Sequence, residues 1–138
     1  MAVIVTLKQE HLDAMIAHAL ADAPVECCGI LAAADGVVAG VYQMRNLDDS
    51  PYRFTIHSLE YNRLSEQLTE AGTPDAGIYH SHTGTEARPS PTDVRAMVLF
   101  RPPYFHFVIG IADRERPHAR VFHIADGTFT EHEYDVVG

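Results

Sequence analysis

The sequence has no run of basic residues, no long apolar stretch and no secretion signal. Its 138 residues include 10 basic and 19 acidic side chains, for a net charge of −9. This acidity argues against nonspecific binding to nucleic acid or to an anionic membrane surface. No apolar run approaches the roughly 18 residues that a membrane-spanning helix needs. We therefore expect a soluble protein that is not exported and binds neither nucleic acid nor membranes.

Cysteine is also scarce, because Cys27 and Cys28 are the only two and they are adjacent. Adjacent cysteines are poor disulfide partners for each other, and reducing compartments keep thiols free. A closed structural zinc site usually takes more cysteines than this chain has. The cysteine content therefore favours a cytoplasmic protein whose core forms without cross-links.

No glycine-rich phosphate-binding fingerprint occurs, and long alternation of strands and helices is absent. A doubly wound nucleotide-binding fold is therefore not expected. An apolar stripe predicts a helix over residues 8–23, Ser58 is the expected N-cap of a second helix, and Ser90 caps a third that ends at residues 101–103. Strands are predicted over residues 3–6, 27–33, 37–43, 52–56, 76–82, 104–112, 120–124 and 128–136. This order predicts a mixed α+β (α/β) fold in which helices flank a central mixed β-sheet.

The segment from His80 to Asp93 carries the candidate chemistry. His80 and His82 lie two residues apart on a predicted strand, so both side chains project from the same face. Asp93, in the first turn of a predicted helix, could fold back as a third ligand, and two histidines with one carboxylate form the donor set of a catalytic zinc site. A structural alternative stays open: nine histidines make a chance pair plausible, and Ser90 and Asp93 can simply cap a helix.

The remaining residues of interest have two interpretations each. Cys28 could be a further, inhibitory metal ligand, although a buried thiol suits its apolar surroundings better. Arg53 and Arg88 could bind a substrate carboxylate or could be solvated surface residues. Alternation in residues 52–56 predicts core side chains at Tyr52, Phe54 and Ile56. Seven histidines are interpreted as surface or satisfied core residues: His11, His18, His57, His106, His118, His123 and His132.

His80 and His82, followed after seven residues by Ser90 and Asp93, resemble the signature of the JAMM (MPN+) zinc metalloproteases. Glu26, within Glu26-Cys27-Cys28-Gly29, matches the upstream glutamate of that family, and the element order matches over nearly the whole chain. The resemblance implies a JAMM/cytidine-deaminase-like single domain over residues 1–138. It also implies that the two histidines and Asp93 bind Zn²⁺, that Glu26 is the general base, and that Ser90 stabilises the oxyanion. Thr83 stands where many members of the family have proline, directly after the second histidine.

Glu86 is a rival general base, because it lies in the loop beside the ligands, and only the family pattern favours Glu26. Residues 80–94 are similar to a narrower bacterial branch whose members act on small ubiquitin-like sulfur carrier proteins. That resemblance implies hydrolysis after the Gly-Gly tail of such a carrier, with release of an amino acid such as cysteine. Such a tail could be held by adding as a strand to a sheet edge. An isopeptidase acting on lysine conjugates, a noncatalytic scaffold and a homodimer are left open.

Overall fold

The computed structural model describes residues 4–96 and 104–138. Within these residues the chain forms seven strands and three helices, which confirms the predicted mixed α+β fold. Val3 and the predicted end of the third helix lie outside the described residues. No helix in the described part of the chain has both the length and the apolar character needed to cross a membrane. The elements in order are β1 (Ile4–Lys8), α1 (Gln9–Asp22), β2 (Cys28–Ala34), β3 (Val37–Met44), α2 (Ser58–Glu70), β4 (Asp75–His82), α3 (Pro91–Ala96), β5 (Phe105–Gly110), β6 (His118–Ala125) and β7 (Thr128–Val137).

The seven strands form one mixed sheet that closes into a barrel in the order β1-β3-β2-β4-β5-β6-β7. The pairs β1/β3, β1/β7 and β4/β5 are parallel, and the other neighbours are antiparallel. β1 pairs with β7 along its whole length but with β3 only at Thr6 and Val37. The outer edge of β3 beyond Val37 therefore has no strand partner among the described residues.

The two faces of the sheet are covered by different helices, and this makes the central strands apolar on both sides. On one face, Met15 and Ala19 of α1 pack against Leu31, Tyr79 and other buried residues. The apolar stripe predicted for this helix is thus the face that it buries. The opposite face packs against Phe54 and against Leu68 of α2. Because side chains alternate along a strand, His80 lies on this second face, next to the residues that α2 covers.

Gly29 is required where β2 crosses a large side chain of β4. It pairs in register with Tyr79, and a Cβ at this position would overlap the Tyr79 ring. The ring therefore lies where a side chain of β2 would otherwise be. The glycine of the Glu-x-Cys-Gly pattern is thus explained by the packing of these two strands.

The strand predicted over residues 52–56 is wrong. The segment is irregular, because the side chain of Asn46 makes two of its backbone hydrogen bonds where a neighbouring strand would have made them. Its Oδ1 accepts from the amide of Thr55 at 3.1 Å, and its Nδ2 donates to the carbonyl of Arg53 at 3.0 Å. Phe54 is buried as predicted, but Tyr52 is 83% exposed, so the prediction that Tyr52 is a core residue is also wrong.

The predicted N-cap of the second helix is displaced by one residue. His57 is the N-cap, and its Nδ1 accepts a hydrogen bond from the amide of Leu59 at 3.2 Å. Ser58 is the first helical residue. Any acceptor side chain at the N-cap can satisfy the free amides of the first turn, and here an imidazole does so.

Candidate metal centre

Three predicted ligands converge at the carboxyl end of β4. The Nε2 atoms of His80 and His82 lie 3.0 Å apart, and Asp93 Oδ2 lies 3.1 Å from the first and 3.0 Å from the second. Ligand atoms around a tetrahedral zinc ion, each about 2.0–2.1 Å from the metal, lie about 3.3 Å from one another. The three atoms are therefore spaced almost as they would be around one dication.

Asp93 is positioned by the start of α3. The hydroxyl oxygen of Ser90 accepts from the amide of Asp93 at 3.1 Å, and the amide of Ser90 donates to Asp93 Oδ2 at 2.8 Å. These reciprocal bonds form a capping box, and Pro91 occupies the first helical position where its missing amide proton costs nothing. The capping interpretation and the ligand interpretation are thus compatible, because the same oxygen caps the helix and faces both imidazoles.

Nε2 of His82 faces the cluster, and the hydrogen bond made by Nδ1 of the same ring determines whether Nε2 has a free lone pair. Nδ1 of His82 lies 2.6 Å from the carbonyl oxygen of Glu86. A carbonyl can only accept, so Nδ1 carries a proton, and when the ring is neutral its Nε2 presents a lone pair to the cluster. Outer hydrogen bonds of this kind orient the histidine ligands of metal sites.

The electrostatics also suit a cation. Burial lowers the pKa of His80, so this ring is neutral at pH 7 and able to bind a metal. Burial alone would raise the pKa of Asp93, but hydrogen bonds and charges from His80 and His82, with the amide of Ser90, hold it well below its ordinary value. Two imidazole nitrogens and an ionised carboxylate are a donor set that zinc accepts. The residues present therefore fit the metal that the family resemblance implies.

Glu26 lies directly before β2 and faces the same cluster. It is only 3% exposed, and its side chain can share one ion with His80 and His82, since one ligand atom from each lies within 4.8 Å of the others. Its Oε1 has no hydrogen-bond partner among the described residues. Burial raises its pKa to about 8, partly opposed by His82. A buried carboxyl with this pKa, beside a group of metal ligands, has the properties of a general base.

Glu86, the rival base, contributes to the cluster through its backbone. Its carbonyl anchors His82, whereas its carboxylate is exposed and lies 3.2 Å from the Nε atom of Arg88. Cys28 is buried on the face of the sheet that α2 covers, with Sγ 3.7 Å from the carbonyl of Met44, which agrees with a structural thiol. Thr83 donates its hydroxyl proton to the carbonyl of Pro24 at 3.2 Å. This bond links the loop after β4 to the segment that leads into Glu26.

Two grooves flank the cluster, and His82, Thr85 and Ser90 line both. The larger, of about 460 Å³, also contacts Arg88 and Phe129. The smaller, of about 350 Å³, is lined as well by Glu26, exposed Tyr52 and Gly84. An extended peptide could run from one groove to the other past the candidate ligands.

The surroundings of Arg53 and Arg88 distinguish these two candidate substrate-binding residues. Arg88 lines the larger groove, whereas Arg53 has its Nε atom 3.7 Å from Asp48 and lines neither groove. Both side chains are largely exposed. Of the two, Arg88 is therefore the one placed to meet a substrate carboxylate.

His106 is the residue that sequence reasoning missed. It is fully buried on β5, and its Nε2 lies 2.7 Å from Nδ1 of His80. Its interpretation as a surface or satisfied core residue overlooked this contact. The two histidines are 26 residues apart in sequence, and only the pairing of β4 with β5 brings them together. No local pattern in the sequence marks this contact.

Comparison with known proteins places the chain in a family. Residues 8–124 match the family described as prokaryotic homologs of the JAB domain. The chain belongs to this family. Over 137 residues it is 35% identical to proteins of Mycobacterium tuberculosis and Mycobacterium bovis named CysO-cysteine peptidase, with 97% of this chain and 92% of those proteins covered. The JAMM (MPN) resemblance found in the sequence is therefore confirmed.

Solved structures agree with this assignment. A protein of Desulfitobacterium hafniense, determined in solution, has a TM-score of 0.86 and 32% identity, covering 97% of this chain and 93% of that one. A JAB1/MPN domain protein of Archaeoglobus fulgidus has a TM-score of 0.61 and 17% identity, covering 94% and 98%. At that identity the second likeness shows the fold alone. The closed mixed sheet with its flanking helices is thus the JAB/MPN fold.

Proposed function

We propose that the protein is a zinc-dependent peptidase that hydrolyses the bond after the C-terminal Gly-Gly of a small ubiquitin-like sulfur carrier protein. The released group is an amino acid such as cysteine. The observation that carries the proposal is the convergence of His80, His82 and Asp93 beside the buried carboxyl of Glu26. Membership of the JAB family and the peptidase name of its relatives support a hydrolase acting on this class of protein.

His80, His82 and Asp93 would hold the zinc ion, which when bound polarises the scissile carbonyl and lowers the pKa of a water ligand to about 7. Glu26 would take a proton from the attacking water and return it to the leaving amine. Burial raises the pKa of this carboxyl to about 8 in the metal-free protein, and a dication beside it would lower that pKa toward the working pH. A group that titrates near the working pH can both accept and donate a proton.

Ser90 has the right connections to stabilise an oxyanion. Its hydroxyl oxygen accepts from the amide of Asp93, so the hydroxyl proton is left for an oxygen of the substrate. Ser90 also lines both grooves beside His82. Removing one oxyanion donor typically lowers turnover about 10²–10³-fold.

The substrate tail would cross the cluster in extended form along the two grooves. The exposed ring of Tyr52 and the segment around Gly84 border the smaller groove, and Arg88 borders the larger one. A terminal residue that carries a free carboxylate would meet Arg88, since a guanidinium binds a carboxylate through two hydrogen bonds. The edge of β3 beyond Val37, which has no strand partner among the described residues, could pair with the tail of the carrier.

A cleavage assay tests this proposal. A sulfur carrier bearing one added C-terminal cysteine is incubated with the zinc-loaded protein, and its mass is followed with and without a chelator. We expect loss of the terminal residue alone, and we expect the chelator to stop it. A carrier that keeps its full mass beside fully zinc-loaded protein would contradict the proposal.

The isopeptidase alternative uses the same metal centre and differs in its leaving group. A carrier joined to a lysine side chain tests it in the same assay, and cleavage of that conjugate in preference to the cysteine adduct would favour it. A noncatalytic scaffold is disfavoured because the ligand cluster and the buried carboxyl of Glu26 are both present. The single domain, the homodimer and the cytoplasmic location stay predictions.

A further inference from the structure

His106 connects the ligand cluster to the buried interior on the face of the sheet that α2 covers. The residue lies on β5 in register with Ile78 of β4, and its side chain is completely buried. Its ring meets that of His80 edge to face, with centroids 4.8 Å apart and planes at 74°. Nε2 of His106 points at Nδ1 of His80 across 2.7 Å, a short hydrogen bond between two buried rings.

The direction of this hydrogen bond determines whether His80 can bind a metal. A neutral imidazole carries one proton, so Nε2 of His80 has a free lone pair only when the proton is on Nδ1. That proton then points at Nε2 of His106, which must accept it. With Nε2 as the acceptor, the proton of His106 itself is on Nδ1.

We propose that His106 is a positioning residue that holds His80 in the tautomer and orientation needed to bind metal, by accepting the hydrogen bond from Nδ1 of His80. This inference rests on the metal-binding part of the proposed function. It concerns His80 alone, because His82 has its own anchor in the carbonyl of Glu86.

Packing by itself does not explain a histidine here. Nδ1 of His106 finds no hydrogen-bond partner among the described residues, and an unpartnered buried nitrogen is unfavourable. The ring also lies edge to face with that of Phe54, with centroids 6.3 Å apart, and a phenylalanine ring could make the same contact. A phenylalanine could fill this space without the polar cost, so the imidazole is best explained by its acceptor nitrogen.

The difference between the two ligand histidines makes the proposal testable. The backbone carbonyl that orients His82 cannot be removed by substitution, whereas the side chain that orients His80 can. His106→Phe keeps a buried ring and removes the acceptor. His106→Gln places an amide oxygen near the position of Nε2 and so restores an acceptor. His18→Phe is the matched control, because it removes a buried imidazole that hydrogen-bonds to Tyr79 on the opposite face of the sheet.

Zinc dissociation constants measured by competition with a chelator give the first readout. We expect His106→Phe to raise the constant about 10–100-fold, the usual effect of losing the outer partner of a ligand histidine. We expect His106→Gln to recover most of the affinity and His18→Phe to match the unmodified protein. A folded His106→Phe protein that binds zinc within about twofold of the unmodified protein would overturn the inference.

The tautomer is a second readout and needs no substitution. Long-range proton–nitrogen correlation spectra of the zinc-loaded protein report which ring nitrogen of each histidine is protonated. We expect the proton on Nδ1 in both His80 and His106, and a proton on Nε2 of His106 would refute the proposal. Neither readout uses a substrate, so tight zinc binding without carrier cleavage would refute the peptidase and leave the inference standing. A protein that binds no zinc at all would overturn both.

Discussion

We predict that the buried Glu26 carboxyl, when ionised, lowers the free energy of unfolding of the metal-free protein. Glu26→Gln tests this prediction. Its carboxyl is buried, with a pKa raised from 4.5 to about 8. Between these two values the folded chain binds a proton that the unfolded chain releases, so the free energy of unfolding falls as the pH rises. Glutamine resembles the protonated carboxyl and does not ionise. The substitution should therefore stabilise the chelator-treated protein at high pH and change it little at pH 5.

The size of the effect follows from the shift in pKa. Each unit corresponds to about 1.4 kcal/mol, which sets an upper limit of about 5 kcal/mol for the ionised group. Partial access of solvent and relaxation of the site reduce this, and we expect a gain of about 2–3 kcal/mol at pH 8. Urea unfolding at pH 5 and pH 8 measures the difference, with Glu86→Gln as the control because the Glu86 carboxylate is exposed.

The same pair of variants tests the choice of general base. With zinc content verified, Glu26→Gln should lower turnover about 10²–10⁴-fold, whereas Glu86→Gln should leave it near normal. Two results would refute the reasoning. One is a Glu26→Gln protein whose stability relative to the unmodified protein is the same at both pH values. The other is near-normal cleavage by that variant when it is fully zinc-loaded.

Three further predictions concern the oxyanion donor, the substrate and the fold. Ser90→Ala should lower kcat about 10²–10³-fold and, because Ser90 also caps α3, should lower the free energy of unfolding in urea by about 1 kcal/mol. Ser90→Thr should retain the cap. An unchanged kcat in Ser90→Ala would contradict the oxyanion role. A carrier whose final glycines are replaced by bulky residues should resist cleavage in the mass assay, and equal rates would show that the grooves do not select a slender tail. Gly29→Ala should destabilise the protein by about 2 kcal/mol or more, because the new Cβ overlaps the Tyr79 ring; a melting temperature equal to that of the unmodified protein would contradict this packing.

Much of the candidate centre was predictable because its information is local. The spacing of His80 and His82 places both rings on one face of a strand, whatever the rest of the fold. The capping pattern around Ser90 and Asp93 specifies the helix start that turns the carboxylate toward those rings. Glu26 needed the family resemblance, since no periodicity connects it to residues more than fifty positions later.

The wrong strand prediction arose where a side chain a few residues away takes backbone hydrogen bonds of the predicted segment. Alternation of side chains predicted a strand over residues 52–56, and Phe54 is indeed buried. The backbone of the segment is irregular because the side chain of Asn46 bonds to it twice. Tyr52 was expected in the core on the same pattern, but it borders a groove instead. Alternation of apolar residues along a segment indicates which side chains lie on the same face. It does not indicate which groups form hydrogen bonds with the backbone of that segment.

The sequence by itself determined the starts of the three helices and the bounds of all but one of the predicted strands to within a few residues, along with the family, because periodicity, caps and short motifs are properties of neighbouring residues. It also predicted the candidate ligands. Only the tertiary structure decided that β1 closes the sheet, that Glu26 rather than the carboxylate of Glu86 faces the cluster, and that His106 contacts His80. Each of these depends on strand register and on burial. Both are set by the packing of the whole chain against itself, and no short stretch of sequence encodes them.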